Sequence, residues 1–192
     1  MRATTAGMDQ QRIVGAVREI IDAIGEDQVR EGLLRTPERI AEMYGELFSG
    51  LFEDPLEVLS TGFEESHKEM VVLKNIPFYS LCEHHFLPFH GQAHVGYVPE
   101  GRIVGVSKIA RAVDILARRP QMQERLTSQI ADTLMKGLSP DGAAVVIEAE
   151  HLCLTMRGAQ KPGTVMITSA IRGGFRRRGV TRAEFMALVQ GK

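Results

Sequence analysis

The chain has 192 residues, 44% of them hydrophobic and 24% charged, with 23 basic against 24 acidic side chains and a formal net charge of −1. That length and apolar content suit one domain with a sizeable core, and the charge balance excludes a global pull toward nucleic acid or acidic membranes. No apolar run approaches the roughly 20 residues of a membrane span. The opening "MRATTAGMDQQR" has no apolar stretch after its basic start, so no signal peptide is read there, and two cysteines are no disulfide scaffold. A cytoplasmic, reducing compartment is the expectation.

In chain order, "QRIVGAVREIIDAIG" puts Ile13, Val17, Ile20 and Ile24 on one face of a helix that Gly25 stops. "RTPERIAEMYGELFSG" predicts a second helix, with Thr36 as N-cap, Pro37 in the first position and Gly50 beyond the end. Residues 51–69 read as polar loop. The period then changes to that of strands in "MVVLKNI", "QAHVGYV" and "RIVGV", with Gly101 in a turn between the last two. Helical spacing returns over 107–117 and from about Pro120 to 136, where Met122, Leu126, Ile130 and Leu134 recur every four residues. "AAVVIEAEHLCLTMR" reads as one long strand and "TVMITSAI" as another. "TRAEFMALV" closes the chain as a helix, Thr181 and Glu184 having capping-box spacing. Helices, strands, helices, strands and a helix in that order argue for an α+β fold with a largely antiparallel sheet.

The chemistry concentrates in "LCEHHFLPFHG", residues 81–91. Cys82 and His85 are three apart, close enough to reach one ion from a turn. The other cysteine, Cys153, lies in "EHLCLTMRG". On an extended strand His151, Cys153, Thr155 and Arg157 share one face, about 7 Å separating alternate residues, and Leu152, Leu154 and Met156 share the core face. Cys82, His85 and Cys153 then make three ligands, which leaves a fourth zinc position for water, the catalytic pattern. The competing reading is two buried free cysteines among scattered histidines. His84 and His151 are left beside the metal, either as proton carriers or as hydrogen-bonded neighbours of the ligands. His67, His90 and His94 fall to surface or packing roles.

In "GVSKIAR", Ser107 reads as an N-cap with Lys108 and Arg111 in the first turn. Cations there oppose the helix dipole, and a bound phosphate resolves the misfit; a solvated basic turn is the alternative. In "RPQMQERL", Gln123 and Glu124 stand at a helix start. Glu124 is either a favourable first-turn charge or an acceptor for the N–H groups of a purine-like edge.

These motifs in this order, "CEHHFLPFHG", "GVSKIAR", "RPQMQERLT" and "HLCLTMRG", with "RTPERIAEMYGELFSG" before them and "TRAEFMAL" after, resemble GTP cyclohydrolase I over roughly residues 10 to 190. The resemblance implies the tunnelling fold: a four-stranded antiparallel sheet with two long helices on one face plus N-terminal helices, assembling into a barrel. Residues 1–69 would be an N-terminal helical segment continuous with a catalytic domain at 70–192. It implies a homo-oligomer, a decamer, with active sites between subunits, and no nucleic-acid or membrane partner. It further implies hydrolysis of GTP to formate and 7,8-dihydroneopterin triphosphate, the entry to folate and related pterins. Carried over, Cys82, His85 and Cys153 match the zinc ligands and His84 and His151 the acid–base histidines. Arg39, Ser107, Lys108, Arg111 and Arg157 match triphosphate contacts, and Gln123 and Glu124 match guanine contacts. "GGFRRRGVTRAEF" departs from the family, with three arginines where an acidic residue and a proline are more usual. The rivals fit less well. A nitrile reductase of this fold needs a nucleophilic cysteine without zinc, a pterin synthase uses histidine ligands, and a zinc-stabilised binding protein has no need of Lys108, Arg111 and Arg157.

Overall fold

The computed structural model describes residues 7–191; the opening residues 1–6, where the absence of a leader was partly read, lie outside the described residues. The fold is α+β. Its sheet has the order β5-β2-β3-β6-β7. The four long strands are β2 (Val71–Cys82), β3 (Pro88–Val98), β6 (Gly142–His151) and β7 (Val165–Gly173), each antiparallel to the long strand beside it. A two-residue strand, β5 (Pro120–Gln121), adds in parallel to the end of β2. A second small sheet pairs β1 (Gly62–Glu64) with β4 (Arg102–Val104).

Two helices, α4 (Val106–Ala117) and α5 (Gln123–Leu138), cover one face. Ile109, Val113 and Leu116 of α4 and Leu126, Ile130 and Leu134 of α5 recur at helical spacing and meet Phe78, Phe89, Val95, Val145 and Ile147. Strand alternation splits β6 between two cores. Ala143, Val145 and Ile147 face α4 and α5, whereas Ala144 and Val146 join Phe175, on the one-turn helix α7 (Gly174–Arg177), and Phe185 in a smaller cluster under α8 (Gly179–Gln190). Phe185 lies over Gly96, where a Cβ would come within 2.6 Å of the ring.

The N-terminal helices α1 (Gln10–Ala23) and α2 (Thr36–Leu47) pack on each other. Asp9 caps α1 by accepting from Arg12 N–H at 3.0 Å, and Gly25, at φ 84°, ends it as expected. The covered stripe is Val14, Val17 and Ile21: of the expected positions Val17 is buried and Ile13 half-buried, while Ile20 and Ile24 are exposed. Thr36 is no N-cap: the backbone already turns before it, and its hydroxyl donates to Gly32 O. Gly50 sits in a 3₁₀ turn, Ser49–Phe52, whose backbone presses on α4. A Cβ there would collide with the Ile115 carbonyl oxygen. Residues 51–69 are not all loop. Asp54 caps and Pro55 opens a short helix, α3 (Pro55–Leu59), whose Leu59 is part of the main core, and β1 follows.

Other boundaries move for similar reasons. Helix α4 begins at Val106 with Gly105 at the cap, so Ser107 is within its first turn and exposed. Helix α5 begins at Gln123, because Pro120 and Gln121 are held by β2. Helix α8 begins at Gly179, so Thr181 lies inside it and makes no capping box. No helix among the described residues is long and apolar enough to cross a membrane.

Candidate active site

Cys82 is the last residue of β2 and is buried. The chain then doubles back within five residues: Cys82 N–H donates to Leu87 O at 2.9 Å, while Cys82 O accepts from the N–H groups of His85 (3.2 Å) and Phe86 (2.8 Å). Phe86 takes the left-handed conformation, φ 52°, that so tight a reversal demands. Its ring meets Tyr44 and Phe48 at centroid distances of 6.4 and 5.5 Å, so α2 and the segment after it pack on this turn. Strand β5 ties the turn to α5, since Glu83 N–H donates to Gln121 O at 3.0 Å.

Cys153 reaches the same place by a route the sequence did not suggest. Strand β6 stops at His151, and Leu152–Thr155 form a single helical turn, α6. The long strand expected across residue 151 is therefore corrected, and with it the shared strand face of His151, Cys153, Thr155 and Arg157. Leu152 and Leu154 are half-buried and Met156 is exposed, so no core face persists either. The cause is the register. His151 pairs with Phe89, so Leu152 would meet Pro88, which has no N–H, and β7 reaches β6 no further than Val165 opposite Glu150. With neighbours exhausted on both sides, the backbone satisfies itself, Met156 N–H donating to Leu152 O at 3.0 Å.

The result is one group. Ligand atoms of Cys82, His85 and Cys153 all lie within 4.8 Å of one another, and among the described residues this is the cluster able to hold a metal ion. His84 Nδ1 is 3.6 Å from Cys82 Sγ and His85 Nδ1 is 3.9 Å, yet the two rings diverge, 6.2 Å apart at 66°. Burial pushes the Cys153 thiol up, the Cys82 thiol beside it adds to the rise, and Arg157 pulls it back. Two thiols and an imidazole are a borderline-soft donor set of the kind zinc takes.

His151 stacks on Phe89, planes within 1° and centroids 4.7 Å apart, and its Nε2 is 2.8 Å from Gln123 Oε1. Burial holds its pKa below the ordinary histidine value, against a smaller upward pull from Glu124. Gln123 is wholly buried, whereas Glu124 beside it is exposed in the first turn of α5.

Ser107, Lys108 and Arg111 share the first turns of α4, and Arg39 is exposed on α2. Among the described residues, none of them takes part in the hydrogen bonds or ion pairs of the cysteine–histidine group. Arg111 instead pairs with Glu53 at 2.6 Å. Sequence reasoning missed Arg125, which grips Glu83, and Thr127 and Thr168 around Gln123; Thr127 bonds Gln123 O within one helical turn, but the Arg125–Glu83 and Thr168 contacts span some forty residues and leave no local signal. The departing arginine run has a partner too: Arg177 and Arg178 both pair with Asp141.

An α+β chain with a Cys–His–Cys group at the end of its central strands is the class these features define, a protein with a candidate three-ligand metal centre. A family model described as GTP cyclohydrolase I matches residues 13–190. GTP cyclohydrolase 1 of Thermobifida fusca (strain YX) is 60% identical over 189 residues, covering 97% of this chain and 91% of that one. The GTP cyclohydrolase 1 of Dehalococcoides mccartyi (strain CBDB1) is 59% identical over 186 residues, covering 96% and 98%. That of Mycobacterium tuberculosis (strain ATCC 25177 / H37Ra) is 59% identical over 186 residues, covering 96% and 92%. The chain belongs to the GTP cyclohydrolase I family, a family of enzymes.

Proposed function

We propose that this protein hydrolyses GTP to 7,8-dihydroneopterin triphosphate and formate, with zinc held by Cys82, His85 and Cys153. The observation that carries the reading is the convergence of those three side chains, from a turn after β2 and a turn after β6, in a chain of this family. Zinc at such a site supplies Lewis acidity and a water acidic enough to act near neutral pH.

The chain's own residues do the rest. Glu124, exposed at the start of α5, is the carboxylate suited to the N–H edge of guanine. Lys108 and Arg111, with Ser107, offer cationic and hydroxyl groups at the start of α4, and Arg39 and Arg157 add charge for a triphosphate. Arg111 is paired with Glu53 at 2.6 Å, a carboxylate that a triphosphate would have to displace. Opening the purine ring, expelling formate and rearranging the ribose all require protons at ring and sugar atoms. His84 and His151 are the imidazoles assigned to carry them, and burial keeps His151 neutral and able to accept one.

The same reading gives the subunit the tunnelling fold and a place in a barrel-forming homodecamer, with sites completed between copies. Residues 70–192 form the catalytic unit and the 1–69 segment is continuous with it. Two features favour assembly. Strand β7 has one open edge, and Ile20, Ile24, Val29 and Ile167 are exposed apolar side chains. A cytoplasmic location and the absence of nucleic-acid or membrane partners complete it.

The test is direct. Purified, zinc-loaded protein incubated with GTP should release formate and yield a fluorescent pterin after oxidation. Absence of both products would overturn the proposal, and a stable, active monomer in light scattering would overturn the assembly.

A further inference from the structure

Gln123 is fully buried, yet every polar atom of its side chain is used. Its amide nitrogen lies 3.1 Å from Ile147 O, 3.0 Å from Met166 O and 3.1 Å from Thr168 Oγ1. Its amide oxygen lies 2.8 Å from His151 Nε2. The amide has one way to sit. Two of its neighbours are backbone carbonyls, which only accept, so the NH₂ group must face them and the oxygen must face the imidazole.

A hydroxyl relay reinforces that polarity. Thr127 Oγ1 donates to Gln123 O at 2.6 Å, which leaves it free only to accept from Thr168 Oγ1, also at 2.6 Å. Thr168, its hydrogen directed at Thr127, can only accept from the Gln123 amide, whose two N–H groups it shares with the Ile147 and Met166 carbonyls. The circuit runs from the Gln123 side chain through Thr168 and Thr127 back to the Gln123 carbonyl, each hydrogen bond pointing the same way. An acceptor oxygen is thereby held against His151 Nε2, which must carry a hydrogen to meet it.

We propose that Gln123 is a positioning residue for His151: its amide oxygen accepts from Nε2–H and so holds the imidazole in one orientation and as one tautomer, with the Nδ1 edge turned away from the buried amide. The reactive role of His151 rests on the function proposed above; the tautomer does not. Phe89 completes the support by stacking flat on the ring, so rotation about the ring axis is blocked on one side while the amide fixes the remaining angle. Gln123 has no side-chain atom left for a purine, which separates its role from that of exposed Glu124.

The tautomer can be read without turnover. In zinc-loaded wild-type protein labelled with ¹⁵N at the histidine rings, the His151 signals, assigned by their loss in His151→Asn, should show protonated Nε2 and unprotonated Nδ1. A neutral His151 with its hydrogen on Nδ1 overturns the proposal. Gln123→Met, close in volume and without the amide, should give a mixture of tautomers. Its kcat for GTP should fall about tenfold or more, the scale of lost orienting partners, with KM for GTP and zinc content unchanged. An unchanged kcat with a raised KM would make Gln123 a base-reading residue and overturn the proposal. If that variant fails to fold, the wild-type spectrum still decides. A wild-type protein that leaves GTP intact would refute the function while the same spectrum judges the positioning.

Discussion

Arg125 holds Glu83 by both carboxylate oxygens, with the Nη2–Oε1 contact at 3.0 Å, across 42 residues of chain. Glu83 stands between Cys82 and the two histidines, and Arg125 is in the first turn of α5. The fork-to-fork geometry therefore clamps the ligand-bearing turn to the helix that carries Gln123 and Glu124. The pairing also holds the Glu83 carboxyl below the ordinary carboxylate range. Both side chains are partly exposed, so global stability depends little on them.

Arg125→Met should consequently leave the fold and thermal midpoint nearly unchanged while loosening the turn. Zinc affinity should weaken by about tenfold, as when other outer partners of metal sites are removed, and Arg125→Lys should restore only part of it because a lysine cannot form the fork. Competition with a metal-binding dye on the three proteins measures this; equal affinities would remove the clamp from the site's support.

Metal removal should separate a catalytic from a structural centre. The main core lies between the sheet and α4 and α5 and includes only the edge of the ligand group, through Cys82 and Cys153. Chelation should abolish GTP turnover with little change in far-UV circular dichroism, and added zinc should restore activity. Cys153→Ser should lose zinc and activity together. Unfolding on chelation would make the metal structural.

His84→Ala and His151→Ala should both retain zinc and lower turnover on the order of 10² or more. The contact of His84 Nδ1 with Cys82 Sγ at 3.6 Å makes His84 the sharper case. Zinc loss in step with activity in that variant would reassign it as a ligand.

His94 predicts a pH dependence of stability. It is buried in β3, and its Nδ1 accepts the Asn75 N–H at 3.2 Å across the bulge in β2. Burial lowers its pKa, Lys74 nearby lowers it further, and Glu148 pulls it up. Unfolded histidine titrates near about 6.5. Between that value and the lower folded value the unfolded chain binds the extra proton. Stability is therefore full above the unfolded pKa and falls as pH drops through this window. His151 acts in the same direction. His94→Gln keeps an acceptor that does not titrate, so its denaturant midpoint should fall less than that of wild type between neutral pH and mildly acidic pH. Parallel midpoints would show that His94 contributes nothing to the dependence.

What the sequence determined by itself is what depends on neighbouring residues and on residue chemistry. The β-rich runs of β2, β3 and β6 and the stripe of Leu126, Ile130 and Leu134 are local patterns, so the α+β class and the layers were legible. So was the grouping of Cys82, His85 and Cys153: two cysteines, each beside histidine, are few enough to be paired by their chemistry alone. The tertiary structure decided what depends on partners. Whether residues after His151 stayed extended turned on Pro88 in another strand, which has no N–H to offer, so Cys153 reached Cys82 through a helical turn where alternation along a strand had been expected. Whether Ser107 capped α4 turned on Gly105 taking the position first. The stripe of α1 that is covered, Val14, Val17 and Ile21, was chosen by contact with the rest of the chain among several apolar positions of similar period. The Gln123–His151 and Arg125–Glu83 contacts join segments whose spacing in the sequence is set by the intervening strands, and no local pattern encodes which of two polar side chains will be buried against the other.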